Sequence, residues 1–75
     1  MGDLDAQLLL AHERRDHAAL VALYAQAADQ REAANDIEAT CFFLTQAFIF
    51  ALECGDPQVE ILNRRLVAYG REEPL

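Results

Sequence analysis

The sequence predicts an all-α domain, four helices arranged as two antiparallel helical hairpins with a long central third helix. Three observations predict it. Apolar residues recur at helical spacing, as in Ile37, Cys41, Leu44, Phe48, Ala51 and Leu52, which form one continuous helical face. All four phenylalanines, Phe42, Phe43, Phe48 and Phe50, fall in that stretch and mark it as the buried centre. Polar punctuation at Arg14-Arg15-Asp16 and Gly55-Asp56-Pro57 then separates helical segments from one another.

In chain order, Asp3 is placed to cap a first helix over about residues 4–14. Its apolar stripe is Leu4, Leu8 and Ala11, broadened by Leu9 and Leu10, and Arg14 and Arg15 suit the negative end of its dipole. Asp16 caps a second helix over about 17–28, with Leu20, Leu23, Tyr24 and Ala27 on one face. The short turn between them makes the pair an antiparallel hairpin.

Asp29-x-x-Glu32 reads as a capping box, which starts the third helix at about residue 30; Gly55 ends it after residue 54. No Gly or Pro marks that start, so a single kinked rod through helices two and three is the alternative reading. Gly55-Asp56-Pro57 stops one helix, caps the next and fills its first turn. The fourth helix, about 57–69, carries Val59, Leu62, Leu66 and Tyr69 on one face and a Glu60–Arg64 pair on another. Gly70 closes it, and Arg71–Leu75 is a polar tail.

Seventy-five residues make a single domain with a thin core, burying only roughly 60% of its unfolded surface. Its apolar fraction of 53% is high for so small a core, which points to association. The formal net charge is −7, with six arginines and no lysine, so phosphate backbones and anionic membranes are repelled. The expectation is therefore no nucleic acid and no membrane. The acidic opening has no apolar signal-peptide core, and Met1-Gly2 is followed by Ala6 where myristoylation wants Ser or Thr. The reading is cytoplasmic.

The third helix carries more apolar surface than its own stripe uses. At about 100° per residue, Phe43 and Phe50 share one azimuth beside the stripe, and Phe42 and Ile49 share another on the opposite side. A helix apolar nearly all round must be covered nearly all round. Phe42, Phe43, Ile49 and Phe50 are therefore the candidate interface residues, with Phe43 and Phe50 expected to carry the docking face. A membrane span is not expected, because the apolar run Cys41–Leu52 is short and contains Thr45 and Gln46.

Superposing Asp16 on Asp56 aligns Ala11-x-Glu13 with Ala51-x-Glu53 and Leu9-Leu10 with Ile49-Phe50, an internal offset of 40 residues. With Arg15-Asp16 at a turn, then Leu20 and Tyr24-x-x-Ala27, the first hairpin resembles the tetratricopeptide-like helical-hairpin repeats. Ala51-Leu52-Glu53-Cys54-Gly55-Asp56 is similar to that family's inter-helix turn. The second hairpin departs from the pattern, with Glu60 and Arg64 where small and aromatic packing residues are wanted. No proline closes the first repeat, and the offset exceeds the family's period of about 34 residues. The resemblance implies a scaffold for protein contacts that performs no chemistry.

The residues themselves offer little chemistry. His12 and His17 flank a turn, and with Glu13 and Asp16 they match no metal-ligand spacing, so two solvated side chains are expected. Cys41 and Cys54 lie roughly 20 Å apart along one helix, too far to bridge. Cys41 falls on the apolar stripe, and Cys54 sits at a helix end that disfavours a thiolate. Thr40 and Thr45 are mid-helix, where hydroxyls bond back to the preceding turn. There is no serine, P-loop or nucleophile elbow. No enzyme activity, cofactor or metal is expected. The leading expectation is a small protein-interaction module that self-associates or docks another protein. An apolar small-ligand carrier and an acidic adaptor of a basic protein are the alternatives.

Overall fold

The computed structural model describes residues 3–75, so the Met1-Gly2 reading lies outside the described residues. Four helices make up the fold: α1 Asp3–Arg14, α2 His17–Ala33, α3 Ile37–Cys54 and α4 Val59–Ala68. No strand occurs among the described residues. Close backbone packing joins each helix to its neighbour in sequence, and α2 against α3 is the most extensive of these contacts. His17 at the start of α2 meets Glu53 at the end of α3, while a short turn joins their other ends, so the two run antiparallel. Arg71, just past α4, likewise meets Glu38 at the start of α3. The result is a slab of 31 × 29 × 13 Å.

The helix boundaries correct the sequence reading most sharply at the break between α2 and α3. It lies at Ala34–Asp36, not at Asp29–Gln30; α2 therefore runs to Ala33 instead of 28, and α3 starts at Ile37 instead of 30. Nothing between Ala28 and Ala33 stops a helix, because Gln, Arg, Glu and Ala all propagate one. Asp29 and Glu32, three residues apart on one face, do not form a capping box. They hold Arg65 of α4, at 2.9 and 3.2 Å. The third helix is thus 18 residues long beside a 17-residue second one, not a rod that outreaches the others. At the ends, Asp3 lies inside α1 instead of before it, and α4 begins at Val59, two residues later than expected.

One device makes all three turns. Arg15, Asn35 and Gly55, spaced 20 residues apart, have φ of 54°, 61° and 66°. This left-handed conformation ends a helix by turning its last carbonyls toward the following N–H groups. The next residue is an aspartate each time, and the N–H groups of Asp16, Asp36 and Asp56 donate to the carbonyls of Ala11, Arg31 and Ala51 at 2.9, 3.0 and 2.9 Å. Asp16 and Asp36 then accept from the N–H groups of Ala19 and Ala39, both at 3.2 Å, capping the next helix. The Asp56 side chain accepts from Gln58, two residues on, at 2.8 Å instead, while the Val59 N–H donates to the Asp56 carbonyl at 3.1 Å. The 40-residue offset from Asp16 to Asp56 is twice this spacing.

Val21, Ala28, Leu44, Ala47, Phe48, Ala51, Leu62 and Leu66 form the core. Three of these are alanines on α2 and α3, and small side chains let helix axes approach closely. Of the expected α3 stripe, Cys41, Leu44, Phe48 and Ala51 are buried, but Ile37 and Leu52, near the two ends of the helix, are exposed. In α2, Val21 and Ala28 are fully buried although the stripe reading passed over them, since α2 has α1 on one side and α3 on the other. Thr40 is also buried, and its hydroxyl donates to the Asp36 carbonyl at 2.7 Å, which leaves no orphaned polar atom there.

Candidate protein-interaction surface

The four expected interface residues separate into two pairs. Phe43 and Phe50 are half-buried on the side of α3 that meets α2. Tyr24 stacks on both, with ring centroids 6.1 Å from Phe43 and 6.0 Å from Phe50, the latter nearly parallel at 5°. His12 and His17 approach the Phe50 ring at 5.8 and 5.4 Å. His12 Nε2 also lies 2.9 Å from the Tyr24 hydroxyl, and His17 Nδ1 lies 3.9 Å from Glu53. The two histidines flank the first turn, so the fold of that turn delivers both to one phenylalanine. His12 is exposed and the His17 side chain is 40% exposed, so both are solvent-accessible while they lie against the Phe50 ring.

Phe42 and Ile49 point the other way, 58% and 43% exposed, and Leu52 on the same side is 52% exposed. At about 100° per residue these three fall within an arc of roughly 80°. Helical continuity places them in a row, and Phe43 buttresses Phe42 edge-on at 5.4 Å. Thr45 lies in the same row; its hydroxyl donates to the Cys41 carbonyl at 2.8 Å and so presents mainly its methyl outward. Glu38, Cys41, Phe42, Thr45 and Arg71 line a hollow at one end of the row. The Arg71–Glu38 ion pair, 2.8 Å, borders it, and the hydrogen bond to Glu38 raises the Arg71 pKa above its ordinary value.

A second polar cluster ties α2 to α4. Glu32 accepts from Arg65 at 3.2 Å and from the Tyr69 hydroxyl, and that bond, with a smaller contribution from burial, raises the Tyr69 pKa. Among the described residues, no group of three or more His, Cys, Asp or Glu side chains is placed to hold a metal ion. Cys41 is buried and Cys54 exposed, both as free thiols. By length and composition alone α3 is apolar enough to cross a membrane, a test that the core helix of a soluble protein also passes.

Compared with known proteins, the chain matches no family model, no curated protein and no solved structure. None of these comparisons identifies a tetratricopeptide-like repeat.

Proposed function

We propose that this chain is a small protein-interaction module that self-associates through the outward side of α3. The observation that carries the reading is the continuous exposed row Phe42, Ile49 and Leu52 on a helix whose other sides are packed. Single exposed apolar residues are ordinary on protein surfaces, but a row along one helix is the form a helix–helix contact takes. Phe43 supports Phe42 edge-on, while Phe50 packs against Tyr24 on the side toward α2 and lies outside the proposed contact.

Magnitudes indicate a weak contact. Fully burying a Phe, Ile or Leu is worth about 1.5–3 kcal/mol, and these side chains are already half covered, so six of them across a symmetric pair supply roughly 5–9 kcal/mol. Association costs about 4–15 kcal/mol in lost freedom and ordering. The assembly is therefore concentration-dependent. The reading involves no enzyme activity, cofactor, nucleic acid or membrane, and a cytoplasmic setting fits the two free thiols.

Light scattering over a concentration series tests the proposal. The wild type should show a mass that rises with concentration, and Phe42→Glu and Ile49→Glu should hold it at the monomer with helicity intact. A wild-type mass that stays monomeric at high concentration overturns it.

A further inference from the structure

Asn63 is one of two buried polar residues in the described chain, 4% exposed, and it sits in the middle of α4. The other, Thr40, is satisfied by its own helix. Asn63 is not. Its Nδ2 donates to the Glu73 carbonyl at 2.9 Å, and its Oδ1 accepts from the Leu75 N–H at 3.3 Å. One carboxamide thus reads a carbonyl and an N–H from the segment that follows the helix. Between the two bonded groups stands Pro74, which has no N–H to leave unpaired. Proline also holds its own φ near −65° and keeps the preceding residue extended, so the segment is preorganised for this contact.

The hold on that segment is light. Residues 71–75 are all exposed, and apart from the Asn63 pair the side-chain contact that anchors them is the Arg71–Glu38 ion pair, itself on the surface. Gly70, at φ 72°, caps α4 with its own N–H on the Val67 carbonyl at 2.8 Å and the Arg71 N–H on the Leu66 carbonyl at 2.9 Å, so the tie to the helix end stops at Arg71. Few buried apolar contacts and exposed backbone place such a segment at the low-stability end of local opening. Leu75 is 73% exposed, so its side chain is not what the site recognises.

We propose that Asn63 is the centre of a peptide-binding site on α4, and that its ligand is an extended segment with a proline between the two residues it bonds. Arg71–Leu75 is the intramolecular occupant of that site and gives way to a competing segment of the same chemistry. Recognition is through the backbone on either side of the proline. Glu60, Asn63 and Arg64 of α4 line an open hollow together with Pro74 and Leu75, so the segment forms one wall of it. The site lies on α4 and does not depend on the α3 contact proposed above.

A synthetic peptide with the sequence Arg-Glu-Glu-Pro-Leu, blocked at both ends, tests this against the full chain. Magnetic resonance follows the Asn63 side-chain amide and the Leu75 backbone amide. Saturable movement of both is expected, with Leu75 shifting toward its released position. Arg71→Ala loosens the resident segment, so the apparent Kd should fall several-fold. The same peptide with alanine for proline should bind more weakly. Asn63→Leu should lose binding with helicity retained; should that variant not fold, Asn63→Asp keeps the size, removes the donor and should lose binding too. No saturable shift in either wild type or Arg71→Ala, or equal binding by a folded Asn63 variant, overturns the proposal.

Discussion

Tyr69 donates its hydroxyl hydrogen to Glu32, and the same carboxylate accepts from Arg65, so one side chain near the end of α2 holds two residues of the α4 region. The bond favours the neutral phenol, and the Tyr69 pKa is raised above 10.0. The folded value thus exceeds the unfolded one. The contribution of this contact to stability is fully present below about pH 10, the ordinary tyrosine value, and is lost as pH rises through the folded pKa. Glu32→Gln removes the negative charge and should bring the Tyr69 titration down toward that ordinary value. An ultraviolet titration of the phenolate checks it, with Tyr69→Phe identifying which transition belongs to this residue.

The turns make a second prediction. Arg15 has a left-handed backbone without the freedom of glycine or the local bonding of asparagine. Arg15→Gly should stabilise the chain by about 0.5–1 kcal/mol, because removing a left-handed penalty of about 1–2 kcal/mol outweighs the extra entropy glycine loses, about 0.5–1 kcal/mol. Gly55→Ala, at φ 66°, should do the reverse. Asp36→Ala removes the cap on α3 and should cost about 1 kcal/mol. Urea unfolding midpoints check all three, and equal midpoints for Arg15→Gly and wild type would show that the strain at the turn is no larger than the entropy glycine loses, about 0.5–1 kcal/mol.

These same turns show what could be read from the residues and what could not. Arg15-Asp16 and Gly55-Asp56 stand out because arginines or glycine precede a capping acid. Asn35-Asp36 has the same chemistry, since Asn tolerates the left-handed region and Asp caps, but the acids at Asp29 and Glu32 offered a competing signal earlier in the chain. Their partner is Arg65, on another helix, and helical periodicity carries no information about that distance. The core stripe of α4 was legible because its apolar residues, Val59, Leu62, Leu66 and Tyr69, fall on one face of a short helix. In α2, covered on two sides, the stripe is too wide for a single face to reveal it. The surplus of phenylalanine was likewise legible, but its division was not. That depended on where Tyr24, His12 and His17 came to rest, and on a chain turn between the two histidines.

The core itself gives a third prediction. Ala47 is fully buried in the core cluster formed by residues of α2, α3 and α4, and interiors are close-packed enough that added volume is felt. Ala47→Leu should destabilise by about 1–3 kcal/mol through overpacking. Leu44→Ala, at an equally buried site, should cost about 2–5 kcal/mol through loss of burial and the cavity left behind. A domain of this size is expected to have only about 4–11 kcal/mol in all, so Leu44→Ala should leave a measurable unfolded fraction on mild heating. Circular dichroism melts distinguish the two. A melt for Ala47→Leu indistinguishable from wild type would mean that the α2–α3 contact is looser than the buried alanines imply.

The last prediction turns on two phenylalanines of the same helix. Phe42 is 58% exposed, and its ring faces away from the core. Phe50 is half-buried against Tyr24, with His12 and His17 at its edges and Glu53 beside His17. A carboxylate at position 42 enters water, so Phe42→Glu should leave the melt close to that of wild type and lower only the solution mass. A carboxylate at position 50 loses the stacking on Tyr24, worth about 0.5–1.5 kcal/mol beyond the area it covers. It also brings a charge to a half-buried position, where the ring N–H groups of His12 and His17 offset part of the desolvation cost but not the lost packing. Phe50→Glu should therefore lower the melting temperature sharply. Any change in its solution mass is then a consequence of unfolding, so it reports on the fold and not on the contact. Measuring melt and mass together on both variants separates surface from support. The assignment fails if Phe42→Glu unfolds the chain, or if Phe50→Glu yields a monomer as stable as the wild type.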